Sequence, residues 1–157
     1  MPALADIVLT AERKDALVAD CVHLTENRIA GRGGLRGIAL KTGLSLLKAA
    51  RPDILPRAMQ ALLPDFVVAL DPLYQDYLAA SDRPADFASF LQGRSDAAVD
   101  ALLGVTDARA ARVHNPAIKS VYARLRGGAE SEVGAALPDF ANLLSNYLAR
   151  ATTCATT

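Results

Sequence analysis

At 157 residues, with 52% apolar and 22% charged side chains, the chain has the size and balance of one globular domain, which excludes a disordered or low-complexity segment. Lysine plus arginine and aspartate plus glutamate stand at 17 each, and this zero net charge argues against a dedicated nucleic-acid binder. No run approaches the roughly 18 uninterrupted apolar residues of a membrane span, and Met1–Thr10 lacks a basic start and is interrupted by Asp6, so no secretory signal is expected.

Apolar spacing is helical almost throughout, and no run alternates with period two. Thr10 is placed to cap a first helix over about 11–30, with Leu17, Val18, Cys21, Val22, Thr25 and Ile29 on one face and Asp20, His23 and Asn27 on the other. Gly31 is its stop signal. A second helix spans about 35–50. Leu35, Ile38, Ala39, Thr42, Leu46, Leu47 and Ala50 cover most of its circumference and leave only Lys41 and Lys48 as a polar stripe, the pattern of a central helix. Pro52 closes it.

From 53 to 80 a stripe of Leu55, Met59, Leu62, Leu63, Phe66, Leu70, Leu73, Tyr74 and Tyr77 keeps its phase through Pro64 and Pro72. A break near Pro64 is expected, with Leu63-Pro64-Asp65 restarting the helix. Ser81–Pro84 reads as a turn, 85–91 as a short helix, and Ser95 as the cap of another that Gly104 stops near 103. Thr106 opens a further turn. Asn115-Pro116 starts a helix that ends at Gly127-Gly128, and a last helix covers about 130–150 with Pro138 on its polar side. The sum is an all-α, compact bundle of about seven to eight helices, some kinked at prolines. Residues 1–151 read as a single domain, and 152–157 as a frayed tail. Leu63-Pro64-Asp65-Phe66 recurs as Leu137-Pro138-Asp139-Phe140, read as a shared helix-start signal with a core Phe, or else as the trace of a duplication.

Chemistry-bearing motifs are few. Asp20, His23 and Glu26 share a helix, but a metal site also needs ligands from facing helices, and the other histidine, His114, lies in a loop-like stretch; no metal or cofactor is expected. Cys21 and Cys154 form neither a zinc motif nor a CxxC, and read as reduced thiols of a cytoplasmic protein. No G-x-S-x-G occurs, and Cys21 and His23, two residues apart, point away from each other on a helix.

Charge segregation is the main functional signal. Asn27–Pro52 contains no acid but holds Arg28, Arg32, Arg36, Lys41, Lys48 and Arg51; Ala108–Ala129 contains none and holds Arg109, Arg112, Lys119, Arg124 and Arg126. Either these helices neighbour acidic ones and neutralise in place, or they form a basic surface for an anionic partner. Within the first stretch, Gly31-Arg32-Gly33-Gly34-Leu35-Arg36-Gly37 opens a helix without being a phosphate-binding P-loop or a dinucleotide fingerprint. It reads as an interhelix turn or, alternatively, as an anion site using Arg28, Arg32, Gly33, Gly34 and Arg36.

Leu62-Leu63-Pro64-Asp65-Phe66 with Leu70-Asp71-Pro72 and Tyr74, Ala101-Leu102-Leu103-Gly104-Val105-Thr106-Asp107-Ala108-Arg109, and Tyr122-Ala123-Arg124-Leu125-Arg126 resemble a bacterial helical family of unknown function over most of the chain. The resemblance implies a bacterial, cytoplasmic, compact helical domain, and brings no activity or functional residue with it. The leading expectation is a non-enzymatic helical domain that acts by binding a protein or a second copy of itself. Two alternatives stand beside it: an anionic small-ligand site at the 31–37 turn, and an enzyme with a deep pocket of converging polar groups.

Overall fold

Seven helices and no strand make up the residues described by the computed structural model, 3–82 and 84–155. They are α1 (Leu4–Val8), α2 (Ala11–Gly31), α3 (Gly34–Ala50), α4 (Ile54–Ala79), α5 (Phe87–Gln92), α6 (Ser95–Ala110) and α7 (Pro116–Ala155). The all-α expectation of about seven to eight helices holds, with several helices longer than the breakers suggest.

The long helices α4 and α7 stand on either side of the core. Helices α1, α2, α5 and α6 each pack against both of them, while α3 lies mainly along α7. Leu17, Leu63 and Leu70 among the enclosed side chains lie on the expected stripes. Leu17 of α2, Leu63, Val67 and Leu70 of α4, Leu91 of α5, and Ala141 and Leu144 of α7 are fully buried. Each such large aliphatic side chain contributes about 1.5–3 kcal/mol on burial.

That magnitude explains the first correction. No break occurs at Pro64: α4 runs uninterrupted through Pro64 and Pro72. A proline inside a helix costs about 3 kcal/mol, less than the combined burial of Leu63, Val67 and Leu70, which an unbroken helix holds on one stripe. The same competition carries α6 through Gly104 and joins the two helices expected on either side of Gly127-Gly128 into the 40-residue α7, with Pro138 inside. A helical glycine costs only about 1 kcal/mol relative to alanine. The region expected as a frayed tail enters this helix as far as Ala155, and 156–157 lie outside the described residues.

Capping is also redistributed. Thr10 occupies the N-cap of α2 but makes no capping hydrogen bond, and its Oγ1 is buried without a partner. Ser95 is the first helical residue of α6, with Arg94 at the cap. Asn115 does cap α7, its Oδ1 accepting from the Ala117 and Ile118 N–H groups at 2.9 and 3.4 Å. Asp86 caps α5 by accepting from Ser89 N–H at 2.8 Å. Helix α1 is too short to show a period. It is fixed by burial of Leu4 and Val8 and by a hydrogen bond from Leu4 N–H to Asp71 at 2.8 Å.

Helix α3 is the largest departure. It is peripheral, not central: Leu35, Ile38 and Leu46 are 88%, 64% and 45% exposed. Its buried contact comes through glycine, since a Cβ on Gly43 would stand 3.0 Å from the Leu125 side chain.

Candidate functional site

The 31–37 turn is built as a clasp between helices. Gly34 takes the left-handed backbone, φ +73°, that lets the chain reverse between α2 and α3. Gly33 is the N-cap of α3, and Gly37 packs so closely on the turn that a Cβ there would collide with the Arg32 carbonyl. The three arginines all reach acids of α7. Arg28 pairs with Asp139 at 3.4 Å, and Glu132 accepts both Arg32 at 3.0 Å and Arg36 at 3.4 Å. Arg36 also donates to the Gly128 carbonyl at 3.3 Å, and its guanidinium occupies the space that a Cβ on Gly128 would take. The groove here is lined by Asp139 together with Arg28 and Arg32, so an incoming anion meets a carboxylate as well. Two carboxylates of α7 thus answer three arginines, and the Arg32 Nε is buried without a hydrogen-bond partner.

A different place joins the two basic stretches. A cleft of about 410 Å³ opens between the end of α3, the first half of α4, the end of α6 and the start of α7. Its walls are the half-buried Leu47, Ile54, Leu62, Val113, Ile118 and Leu125. Its rim carries Arg51 from the first basic stretch and Arg109, Arg112 and Lys119 from the second, with Arg57 of α4 beside them. Among the described residues no carboxylate, histidine or thiol lines it.

The five cations are not equivalent. Arg57 is held by Asp53 at 2.6 Å. Arg109 bridges α6 to α4, donating to Asp65 at 3.3 Å and to the Ala61 carbonyl at 3.2 Å. Arg51, Arg112 and Lys119 are exposed and make no ion pair among the described residues. At the cleft's inner edge, Tyr122 donates to Asp107 at 2.5 Å, and Arg126 clamps the same carboxylate at 2.8 and 3.0 Å. The Arg126 guanidinium, then the Tyr122 hydrogen bond, hold the Asp107 carboxyl below its usual range; burial and that hydrogen bond push the Tyr122 hydroxyl up. This corner is locked, with no group poised to take up a proton near neutrality. The arrangement suits retention of an apolar body with an anionic head.

Sequence reasoning found four of the five cations in two charge runs but neither Arg57 nor the cleft, whose walls come from four helices. The metal-ligand candidates do not converge: His23 and His114 are both exposed, and no metal-holding cluster occurs among the described residues.

Fold and cleft together define a small all-helical protein with an apolar, cation-rimmed depression. A model described as a family of unknown function (DUF6918) matches residues 4–148, and the chain belongs to that family. Neither a curated protein nor a solved structure matches the chain significantly.

Proposed function

We propose that the protein is a non-enzymatic binding domain for a small amphipathic anion, an apolar body bearing one carboxylate or phosphate, held in the cleft between α3, α4, α6 and α7. One observation carries this reading: Arg51, Arg112 and Lys119, with no ion pair among the described residues, stand at the rim of an apolar cleft of about 410 Å³, within the usual volume of small-molecule sites. Unpaired cations beside desolvating walls favour an anionic head group more than the same charges in open water do. In this reading the protein works in the cytoplasm, where a free thiol such as that of Cys21 persists.

The test is displacement of anilinonaphthalene sulfonate, an amphipathic anion that fluoresces in apolar surroundings. Decanoate should displace it, while decyltrimethylammonium, with the same chain and opposite charge, should not. Arg112→Glu with Lys119→Glu should weaken decanoate binding about tenfold or more, since each lost charge-assisted contact is worth about 1.5–3 kcal/mol at most. Equal displacement by the two amphiphiles, or unchanged affinity in the double variant, would remove the cleft as an anion site.

A further inference from the structure

We propose that α3 is a membrane-surface helix that lays its outer face on a bilayer containing anionic lipid. The inference stands on the outer face of α3 and does not depend on what the cleft holds. At about 100° per residue, Leu35, Ile38, Thr42, Leu46 and Ala49 fall within roughly a quarter-turn to a third of the circumference. All five are exposed, Leu35 at 88%. Lys41 and Lys48 flank this stripe on one side. Lys41 has no ion pair among the described residues, and Lys48 has only a solvent-exposed contact with Glu26 at 3.5 Å.

Charge decides between occupants. Helix α3 contains no acidic residue, nor does the chain from Asn27 to Pro52. Two copies pairing antiparallel about a twofold axis through this face would set the same lysines against each other along one side, and like charges across an interface cost affinity. An anionic bilayer offers the complement: headgroup charge for the lysines, and an acyl boundary for Leu35, Ile38 and Leu46. No helix among the described residues is long and apolar enough to cross a membrane, so the contact lies in the plane of the surface.

The test is flotation of the whole protein with phosphatidylglycerol–phosphatidylcholine vesicles and with phosphatidylcholine vesicles alone. Binding is expected to the anionic vesicles, reduced by high salt. Lys41→Glu with Lys48→Glu should weaken it about tenfold or more. Leu35→Glu with Ile38→Glu should abolish it while the far-ultraviolet circular dichroism and melting temperature stay those of the parent, because both side chains are exposed in the fold. Absence of binding to anionic vesicles overturns the proposal, as does binding that the Leu35 and Ile38 substitutions leave intact. A parent that is dimeric without lipid and becomes monomeric in that variant also overturns it, and assigns the face to a second copy.

Discussion

Phe66 and Phe140, the last residues of the two Leu-Pro-Asp-Phe segments, meet edge to face with ring centroids 6.5 Å apart. The helices that carry them do not approach closely along their backbones, so these rings join α4 to α7 across the core. The two segments resemble each other in their other contacts as well. Leu63 and Leu137 are buried, while Asp65 and Asp139 each pair with an arginine of another helix, Arg109 and Arg28. Neither segment starts a helix; both lie inside one. The repeat therefore marks corresponding core and ion-pair positions rather than helix starts. A double-mutant cycle on Phe66→Ala and Phe140→Ala should give a coupling of about 0.5–1.5 kcal/mol in chemical denaturation. Strict additivity would mean that the rings merely share a core.

The helical stripes were legible because burial on one face imposes a period. Leu17, Leu63 and Leu70 are all where that period puts them. Boundaries were less legible, because Pro64, Gly104 and Gly127-Gly128 act locally while the packing that overrides them comes from distant residues. Helix α3 shows a different limit. Apolar spacing alone does not distinguish a helix surrounded by protein from one that leaves Leu35 and Ile38 in the open. Most cations of the cleft were visible as charge runs, but nothing local distinguishes Arg112, which makes no ion pair among the described residues, from Arg32, which Glu132 holds at 3.0 Å.

The two glycines that bound the 31–37 turn, Gly31 and Gly37, should respond oppositely to a methyl group. At Gly37 the new Cβ meets the Arg32 carbonyl, a backbone atom that cannot swing aside. Gly37→Ala should lower stability by about 1–3 kcal/mol, the usual range for overpacking. At Gly31 nothing lies within 4 Å of the Cβ position and the backbone is ordinary. Gly31→Ala should be neutral or stabilise by up to about 1 kcal/mol through the unfolded chain. Urea midpoints of the two variants decide this, and equal destabilisation would show that the turn tolerates no methyl at either place.

Glu132 holds both Arg32 and Arg36, so it should control whether the turn accepts an external anion. Glu132→Gln removes the charge but keeps the shape. The stability cost should be about 1 kcal/mol or less, because both arginines are more than a third exposed. Inorganic phosphate should then raise the melting temperature of the variant more than that of the parent, as expected for a ligand that binds only the folded state. A phosphate response already present in the parent, and removed by Arg32→Ala with Arg36→Ala, would restore the turn as an open anion site.

Alkaline conditions should destabilise the fold in two steps. Burial, and then the nearby Asp20 charge, push the Cys21 thiol from its ordinary 9.0 up to about 12. Burial, and then the 2.7 Å hydrogen bond to Asp20, push the Tyr147 hydroxyl from 10.0 up to about 12. Both groups keep their protons in the native state at pH values where the unfolded chain has lost them. Stability therefore falls as pH rises. The contribution is complete below about pH 9, begins to drain as the unfolded thiol ionises, and drains faster once the unfolded phenol follows near pH 10. In a Cys154→Ser background, the urea midpoint should decline from about pH 9 upward. Adding Cys21→Ala should move the onset of that decline to about pH 10, whatever constant offset the lost sulfur brings. The same burial predicts that Ellman's reagent labels Cys21 only as fast as the protein opens, since the thiolate is the reacting form. Rapid labelling at pH 8 with an unshifted onset would place Cys21 at the surface and contradict its position in the core.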